Sequence, residues 1–496
     1  VLSFQPFNLV FINFIIIPSL FLILTHVSKK SKNVYRKKPF LRNLFFVGYL
    51  FGIGFFLSGT FWISYSLTFD DTFKFLIPIA IIFLPLFLGL FFGFSTLISG
   101  PFIKNNFISI LLFCSSFAFL DFVRGKILTG FPWNLWSYSW SWFPEILQLV
   151  NPIGLYAFNL LSITIFCVPL LIFFRRKNYN FLIFFIFILL FFFNYIHGSS
   201  KINKNKSLIN SKIIKDNLIN IKIVSPNFDL KYDLSKEELK IQLDKLIKYS
   251  EPNESKKTLF IWPEGVFTGY DFLQISEFKE KFQNNFNNNH VIVFGINTKS
   301  ETNEDIFNSL IAVNSDLKIV YKYNKKKLVP FGEFLPFGDT LNKFGLKKIT
   351  LGYESFARGI YQNYFLLDNA KILPLICYEI IFPELIQQSD KNNLIINISE
   401  DAWFGGSIGP YQHFAKAIFR SIENDTYLAR SANQGVSAFI SNKGSVIKKL
   451  EPNETGSIEL NVPLIHENSK NKNDLIFFVL LFTYVIIFFT FKKLYE

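Results

Sequence analysis

The chain has 496 residues, 50% of them hydrophobic and 19% aromatic, with 65 Phe; that exceeds the usual globular mix and excludes an ordinary water-soluble protein. Its formal charge of +14 does not point to nucleic acid, because the positive residues sit largely in short loops beside apolar runs, where they set membrane topology. Of three cysteines, Cys114 and Cys167 fall inside apolar runs and Cys377 stands alone in polar sequence, so no disulfide framework is available there.

The first apolar run, Phe7 to Val27, is followed by Lys29, Lys30, Lys32, Arg36, Lys37, Lys38 and Arg42, a cluster that marks the cytoplasmic side. Further spans are expected at about Leu44 to Ser66, Phe73 to Leu97, Phe107 to Val123, Ile153 to Phe174 and Phe181 to Ile196. The intervening charges alternate without conflict: Asp70 and Asp71 fall outside, Lys104 inside, and Arg175, Arg176 and Lys177 inside. Between the fourth and fifth spans lies an aromatic outer loop with Trp133, Trp136, Trp140 and Trp142, residues suited to the headgroup layer.

Polar sequence then runs to about Asn473, outside the cytoplasmic membrane by the same alternation. A last span, Leu475 to Phe491, returns Lys492 and Lys493 to the cytoplasm. The domains are therefore expected at 1–197 (six spans), 198–473 (soluble) and 474–496 (final helix and tail). Seven spans place residue 1 outside, and Met is absent throughout; one further span upstream is expected.

Within 198–473, strand-like runs alternate with helical patterns, which predicts an α/β layered domain. Strands are expected at Ile221 to Val224, Thr258 to Trp262, Val291 to Ile296, Leu310 to Val313, Lys371 to Ile376, Leu394 to Ile398 and Val436 to Ser441. Helices are expected at Lys236 to Tyr249 and Gln412 to Ala429.

Three motifs carry chemistry, each just beyond a strand. In Ile261-Trp-Pro-Glu-Gly265, Pro263 stops the strand and aims Glu264 off the sheet's end. Tyr323-Asn-Lys-Lys-Lys-Leu-Val-Pro-Phe-Gly-Glu-Phe-Leu-Pro336 sets a lysine cluster against a stiff apolar loop carrying Glu333. Cys377-Tyr-Glu379 closes an apolar strand before a helix start at Pro383, where backbone N–H groups are expected to lower the thiol's pKa. Singly, each has a bland reading: a solvated carboxylate, a solvated lysine face, a buried apolar cysteine. Together they form an acyl-transfer constellation. In it Glu264 is expected to accept the thiol proton, Cys377 to attack a carbonyl, and Lys325 with a backbone N–H such as that of Tyr378 to stabilise the oxyanion.

Trp-Pro-Glu264, Lys325 eight residues before Glu333, and Cys377-Tyr-Glu resemble the Glu-Lys-Cys triad of the nitrilase superfamily. With Pro330-Phe-Gly-Glu333, Asp401-Ala-Trp-Phe-Gly405, Tyr411-Gln-His413, Thr129-Gly-Phe-Pro-Trp133 and Gln5-Pro-Phe-Asn8, the chain resembles the membrane-embedded apolipoprotein N-acyltransferase family. The resemblance implies a polytopic helical membrane domain joined to a nitrilase-like αββα sandwich, in a bacterial inner membrane with the sandwich periplasmic. It implies that Glu333 and Glu379 are further acids orienting Lys325 and the thiol, that Trp403, Phe404 and Phe331 contact acyl chains, and that Arg430 supports the core beside the site. His413 reads as a structural helix residue. Ser225-Pro-Asn-Phe228 and Tyr232 depart from the family's pattern.

The implied reaction is a relay: Cys377 takes a fatty acyl chain from a phospholipid, then gives it to the α-amino group of a diacylglyceryl-cysteine in an apolipoprotein. No metal cluster or phosphate-cradling glycine loop is evident in the sequence, and no cofactor is expected. Two alternatives remain open, a membrane-anchored amidase or nitrilase and a non-catalytic lipid-binding or transport scaffold.

Overall fold

The computed structural model describes residues 1–32, 37–174, 177–209, 217–300, 304–338, 355–360, 364–387, 392–465 and 474–492. Of the topology-setting charges, Arg36, Arg175, Arg176 and Lys493 lie outside them. By packing, the chain divides into two units. One comprises Val1–Ser64, Phe75–Asn203 and Asn471–Glu496; the other comprises Tyr65–Lys74 and Lys204–Lys470.

In lipid, a backbone can satisfy its own polar groups only as a helix or a closed barrel. The long apolar runs accordingly form helices at Val10–Lys30, Phe40–Thr68, Asp71–Phe102, Phe107–Lys126, Leu155–Phe173 and Asn178–Leu208, each long and apolar enough to cross a membrane, with a shorter apolar helix at Leu475–Phe491. The second and third lie backbone to backbone: a Cβ on Gly52 would come within 2.9 Å of the Gly89 Cα. Leu182, Leu189, Phe193 and Phe482 are exposed, an apolar surface that belongs in a bilayer.

Among the outer-loop tryptophans, Trp133, Trp136 and Trp140 are buried in protein, and Trp142 is exposed. The expected headgroup placement gives way to aromatic packing: Trp140 stacks on Phe166, and Trp136 lies against Phe55. A buried ion pair pins this loop. Arg124 donates to Asp121 at 2.8 Å and to the carbonyls of Phe131 and Trp133 at 2.6 and 2.8 Å, while Asn159 donates to the other Asp121 oxygen at 3.0 Å. The charges lie within a span yet are paired and hydrogen-bonded, as buried charges must be.

The second unit is built on two six-stranded sheets. The first runs β12-β1-β2-β3-β4-β5, with β1 (Leu218–Ser225), β2 (Thr258–Ile261), β3 (His290–Lys299), β4 (Ile306–Val313), β5 (Ile319–Asn324) and β12 (Gly456–Pro463). The second runs β11-β10-β9-β8-β7-β6, with β6 (Phe365–Leu367), β7 (Ala370–Ile376), β8 (Leu394–Glu400), β9 (Tyr427–Asn433), β10 (Ser437–Ile440) and β11 (Val446–Leu450). Each sheet has a central parallel trio, β1-β2-β3 and β7-β8-β9, flanked by antiparallel strands. Ile221, Ile261 and Val293 of one sheet meet Ile372, Ile376 and Ile398 of the other in a single core.

Outside the first sheet, Leu239, Leu243 and Leu246 of helix Lys236–Ser250 cover Phe260, Trp262 and Phe294. These leucines recur at helical spacing, and the helix starts on a capping box made by Ser235 and Glu238. Helix Gly409–Asn424 is buried along its length against the second sheet's side. The layers are therefore αββα. The second helix stops five residues short of the expected end because Asp425 turns left-handed (φ 52°), and the residues beyond it become β9.

Candidate active site

Glu264, Lys325, Glu333 and Cys377 all follow strand ends of the second unit. β2 stops at Ile261, and the turn that follows presents Glu264 beside β3, where a Cβ on Gly295 would come within 2.9 Å of the Glu264 Cα. β5 stops at Asn324, and the Lys325 N–H donates to the Asn308 carbonyl on β4 at 2.9 Å. Glu333 is folded back onto that lysine by a tight loop, its Oε2 accepting from the Val329 N–H at 2.8 Å.

The charged groups meet directly. Lys325 Nζ lies 2.8 Å from Glu333 Oε1 and 3.5 Å from Glu264 Oε1. Asn308, which the sequence gave no reason to single out, donates from Nδ2 to both of those oxygens at 2.7 Å each. It bridges two carboxyl groups that share one lysine. Glu264 Oε2 accepts the Glu400 N–H at 3.1 Å, which ties the acid to the second sheet. Burial works against the Lys325 charge, but the carboxylates of Glu264 and Glu333 outweigh it and raise its pKa.

Cys377 sits one residue past β7 with φ 47°, a left-handed conformation that costs a non-glycine residue about 1–2 kcal/mol. The thiol is 8% exposed. Burial pushes its pKa up, and Glu264 pushes it further, against the pull of Lys325. This reverses the sequence expectation. A single five-residue turn of 3-10 helix, Cys377–Ile381, follows the thiol, followed in turn by a short helix at Pro383–Gln387, and desolvation outweighs what those N–H groups offer.

Glu379 is buried and holds the corner together. It accepts from the Ile376 N–H at 2.9 Å, the Lys326 and Lys327 N–H groups at 2.7 and 3.1 Å, and the Tyr323 hydroxyl at 2.8 Å. The carboxyl thereby ties the strand end before the thiol to the residues around Lys325. The Tyr378 ring packs edge-on against Phe382.

In the turn after β8, Trp403 lies against Phe69 and Tyr232, with ring centroids 5.1 and 6.0 Å away, and Phe404 packs edge-on against His413. Phe331 (φ 63°) is 47% exposed at the tip of its loop.

Beneath the thiol lies a buried polar group. Asp401 accepts from Ser399 at 2.6 Å and from Arg430 at 2.8 Å, and its Oδ1 lies 3.0 Å from His413 Nδ1. Arg430 also donates to Asn397 on β8 and to the Val436 carbonyl. Burial opposes the Asp401 charge, but Arg430 and His413 outweigh it and hold the carboxyl at about 2. Burial lowers His413 to about 4, with Asp401 opposing and Arg430 assisting. Sequence spacing could not assemble this group, because its members come from β8, β9, a turn and a helix.

A buried thiol beside a carboxyl–lysine–carboxyl cluster is equipped for nucleophilic attack at a carbonyl, with an adjacent proton acceptor and a cation for the developing oxyanion. Residues 226–466 match the family model for carbon-nitrogen hydrolases, and residues 1–168 match that for the N-terminal domain of apolipoprotein N-acyltransferase. The chain is 31% identical over 468 residues to an apolipoprotein N-acyltransferase of Rickettsia prowazekii, covering 92% of this chain and 90% of that protein. It is 31% identical over 432 residues to one from Brucella melitensis, covering 84% and 79%. A solved nitrilase-superfamily structure from Saccharomyces cerevisiae aligns at 17% identity and a TM-score of 0.36, covering 50% of this chain and 90% of that one. This chain belongs to the apolipoprotein N-acyltransferase family.

Proposed function

We propose that this acyltransferase carries the acyl group on Cys377 as a thioester, and that Glu264, Lys325 and Cys377 perform both halves of a ping-pong reaction. In the first half, Glu264 takes the thiol proton as sulfur attacks the ester carbonyl of a phospholipid. Lys325 and the Tyr378 N–H bear the oxyanion. Its collapse expels the lysophospholipid alkoxide, which leaves with the proton held by Glu264. In the second half, the α-amino group of a diacylglyceryl-cysteine at an apolipoprotein's N-terminus attacks the thioester. Glu264 takes the amine proton and returns it to the departing thiolate.

The observation that carries this reading is the direct contact of Lys325 with both Glu264 and Glu333 beside a buried thiol. Glu333 and Glu379 orient the lysine and the corner. Trp403, Phe404 and the exposed Phe331 contact acyl chains, and mobility of the Phe331 loop admits and releases substrates. Covalent relay suits two bulky lipid substrates that need not be bound together. Charge alternation along the chain supports an inner-membrane placement with the sheet unit periplasmic.

The test is intact mass of the purified protein after incubation with phosphatidylethanolamine, alongside Cys377→Ala. The wild type alone is expected to gain one acyl group, removable by hydroxylamine or by a diacylated lipopeptide amine. A folded, lipid-bound wild type with no adduct overturns the thioester. An adduct released by water as fast as by the lipopeptide favours an amidase-like hydrolase instead.

A further inference from the structure

The left-handed turn at Cys377 needs something to hold it. A strained backbone persists only where its surroundings over-determine it, and the Cys377 φ of 47° is the conformation from which the thiol projects. The restraint is visible on one side: His413 Nε2 lies 3.2 Å from the Cys377 carbonyl oxygen. A carbonyl oxygen only accepts, so this contact requires the proton on Nε2. Nδ1 then accepts from Arg430 Nη2 at 3.1 Å, and Asp401, to which a bare Nδ1 cannot donate, is held by Ser399 and Arg430 instead. The ring cannot swing away. It is fully buried, packed edge-on with Phe404 and fixed at Nδ1 by Arg430 of β9.

We propose that His413 is a positioning residue for the reaction: its Nε2–H holds the Cys377 carbonyl, and with it the left-handed turn that aims the thiol, while Arg430 holds the ring at Nδ1. This rests on the reading of Cys377 as the nucleophile. The role is distinct from a general base, because His413 bonds the backbone of the nucleophile. It is also distinct from core filling, because the essential atom is one N–H at one reach from the helix.

Side-chain length separates the two ends of the ring. Glutamine can place an amide N–H where Nε2 stands, whereas asparagine reaches only the Nδ1 side. The full-length protein in detergent is compared as wild type, His413→Gln, His413→Asn and His413→Phe, reading the single-turnover rate of Cys377 acylation at saturating phosphatidylethanolamine, its concentration dependence, and the thermal midpoint. With a misplaced thiol, acylation by the Asn and Phe variants is expected to fall about 100-fold, and by the Gln variant only about threefold, with the half-saturating lipid concentration little changed. A Phe variant that folds and acylates at the wild-type rate overturns the proposal. So does an equal loss in all three variants, or a loss that follows the thermal midpoint instead of side-chain reach.

The rate of Cys377 alkylation by iodoacetamide, measured without lipid, separates this idea from the thioester reading. If the wild type forms no acyl-enzyme, the functional reading fails. The alkylation order wild type ≈ Gln > Asn ≈ Phe then still supports the positioning role, and equal alkylation in all four refutes it.

Discussion

Burial keeps Cys377 as a thiol at neutral pH, so its proton must leave during the attack and not before it. Glu264 stands as the acceptor, and Lys325 is the one charge among the groups shifting this thiol that favours the thiolate. Alkylation of the substrate-free protein should accordingly be slow at pH 7 and rise about tenfold per pH unit through pH 9 without a plateau. Lys325→Met should lower it further at every pH, and a faster-reacting variant would show that the lysine does not support the thiolate. Below the thiol, His413 carries a second signature. Its pKa is held near 4 in the folded protein, against an ordinary 6.5. Between those values the unfolded chain binds a proton that the folded one refuses, so stability is complete above pH 6.5 and falls as pH drops toward 4. Asp401, held at about 2, extends the loss below its ordinary 3.8. Thermal midpoints in detergent across pH 7 to 4 check the sign, and His413→Gln should flatten the upper part of the curve. Sequence led to Glu264 and Cys377 because each follows a recognisable strand end, and to Lys325 because it lies eight residues before Glu333. It did not lead to Asn308, nor to the partners of Asp401, a residue it gave only as part of a motif, because those contacts arise only where separate strands meet; nor did it lead to the direction of the thiol's shift, which depends on burial.

Strand ends and their corners place these groups, so changes that spare every catalytic candidate should still disturb the site. Glu379→Ala strips the partner from three backbone N–H groups and one hydroxyl. A loss of about 3–5 kcal/mol is expected for breaking such a buried network, together with loss of acylation. Denaturation of the purified protein measures the first, and the mass assay the second. Gly295→Ala would press a methyl against the backbone of Glu264 at 2.9 Å and against Ile398. It should cost about 1–3 kcal/mol and slow acylation more than it weakens lipid binding; an unchanged acylation rate would mean that Glu264 tolerates displacement. Strands with continuous β-branched or apolar runs, such as β1, β2, β7 and β8, were legible from composition. β5, β11 and β12 were not, because their exposed positions interleave lysines and other polar residues with the strand pattern. β9 was hidden for another reason: Leu428, Ala429 and Arg430 are good helix formers, and only the left-handed Asp425 ends the preceding helix.

At the scale of the molecule, the spans were legible to within a few residues at most ends, since the hydrocarbon thickness fixes their length. The sixth was the exception. Its helix continues to Leu208, twelve residues past the expected end at Ile196, although Gly198, Ser199, Ser200 and Asn203 disfavour helix; tertiary contacts such as the paired amides of Asn205 and Asn442 override that propensity. A cysteine introduced at exposed Leu273 should react with a membrane-impermeant maleimide in intact spheroplasts, and one introduced at exposed Lys29 should react only after permeabilisation. The reverse pattern would invert the proposed orientation. Tyr65–Lys74 joins two spans yet belongs by packing to the sheet unit, with Phe69 against Trp403 and the Tyr65 ring 2.9 Å from where a Cβ on Gly405 would stand. During synthesis this short segment emerges long before the strands it packs on. The sheet unit is therefore discontinuous in the chain: part of its aromatic packing comes from a segment that lies in sequence between two apolar helices, so residues 204–470 expressed alone would lack the Phe69 ring beside Trp403.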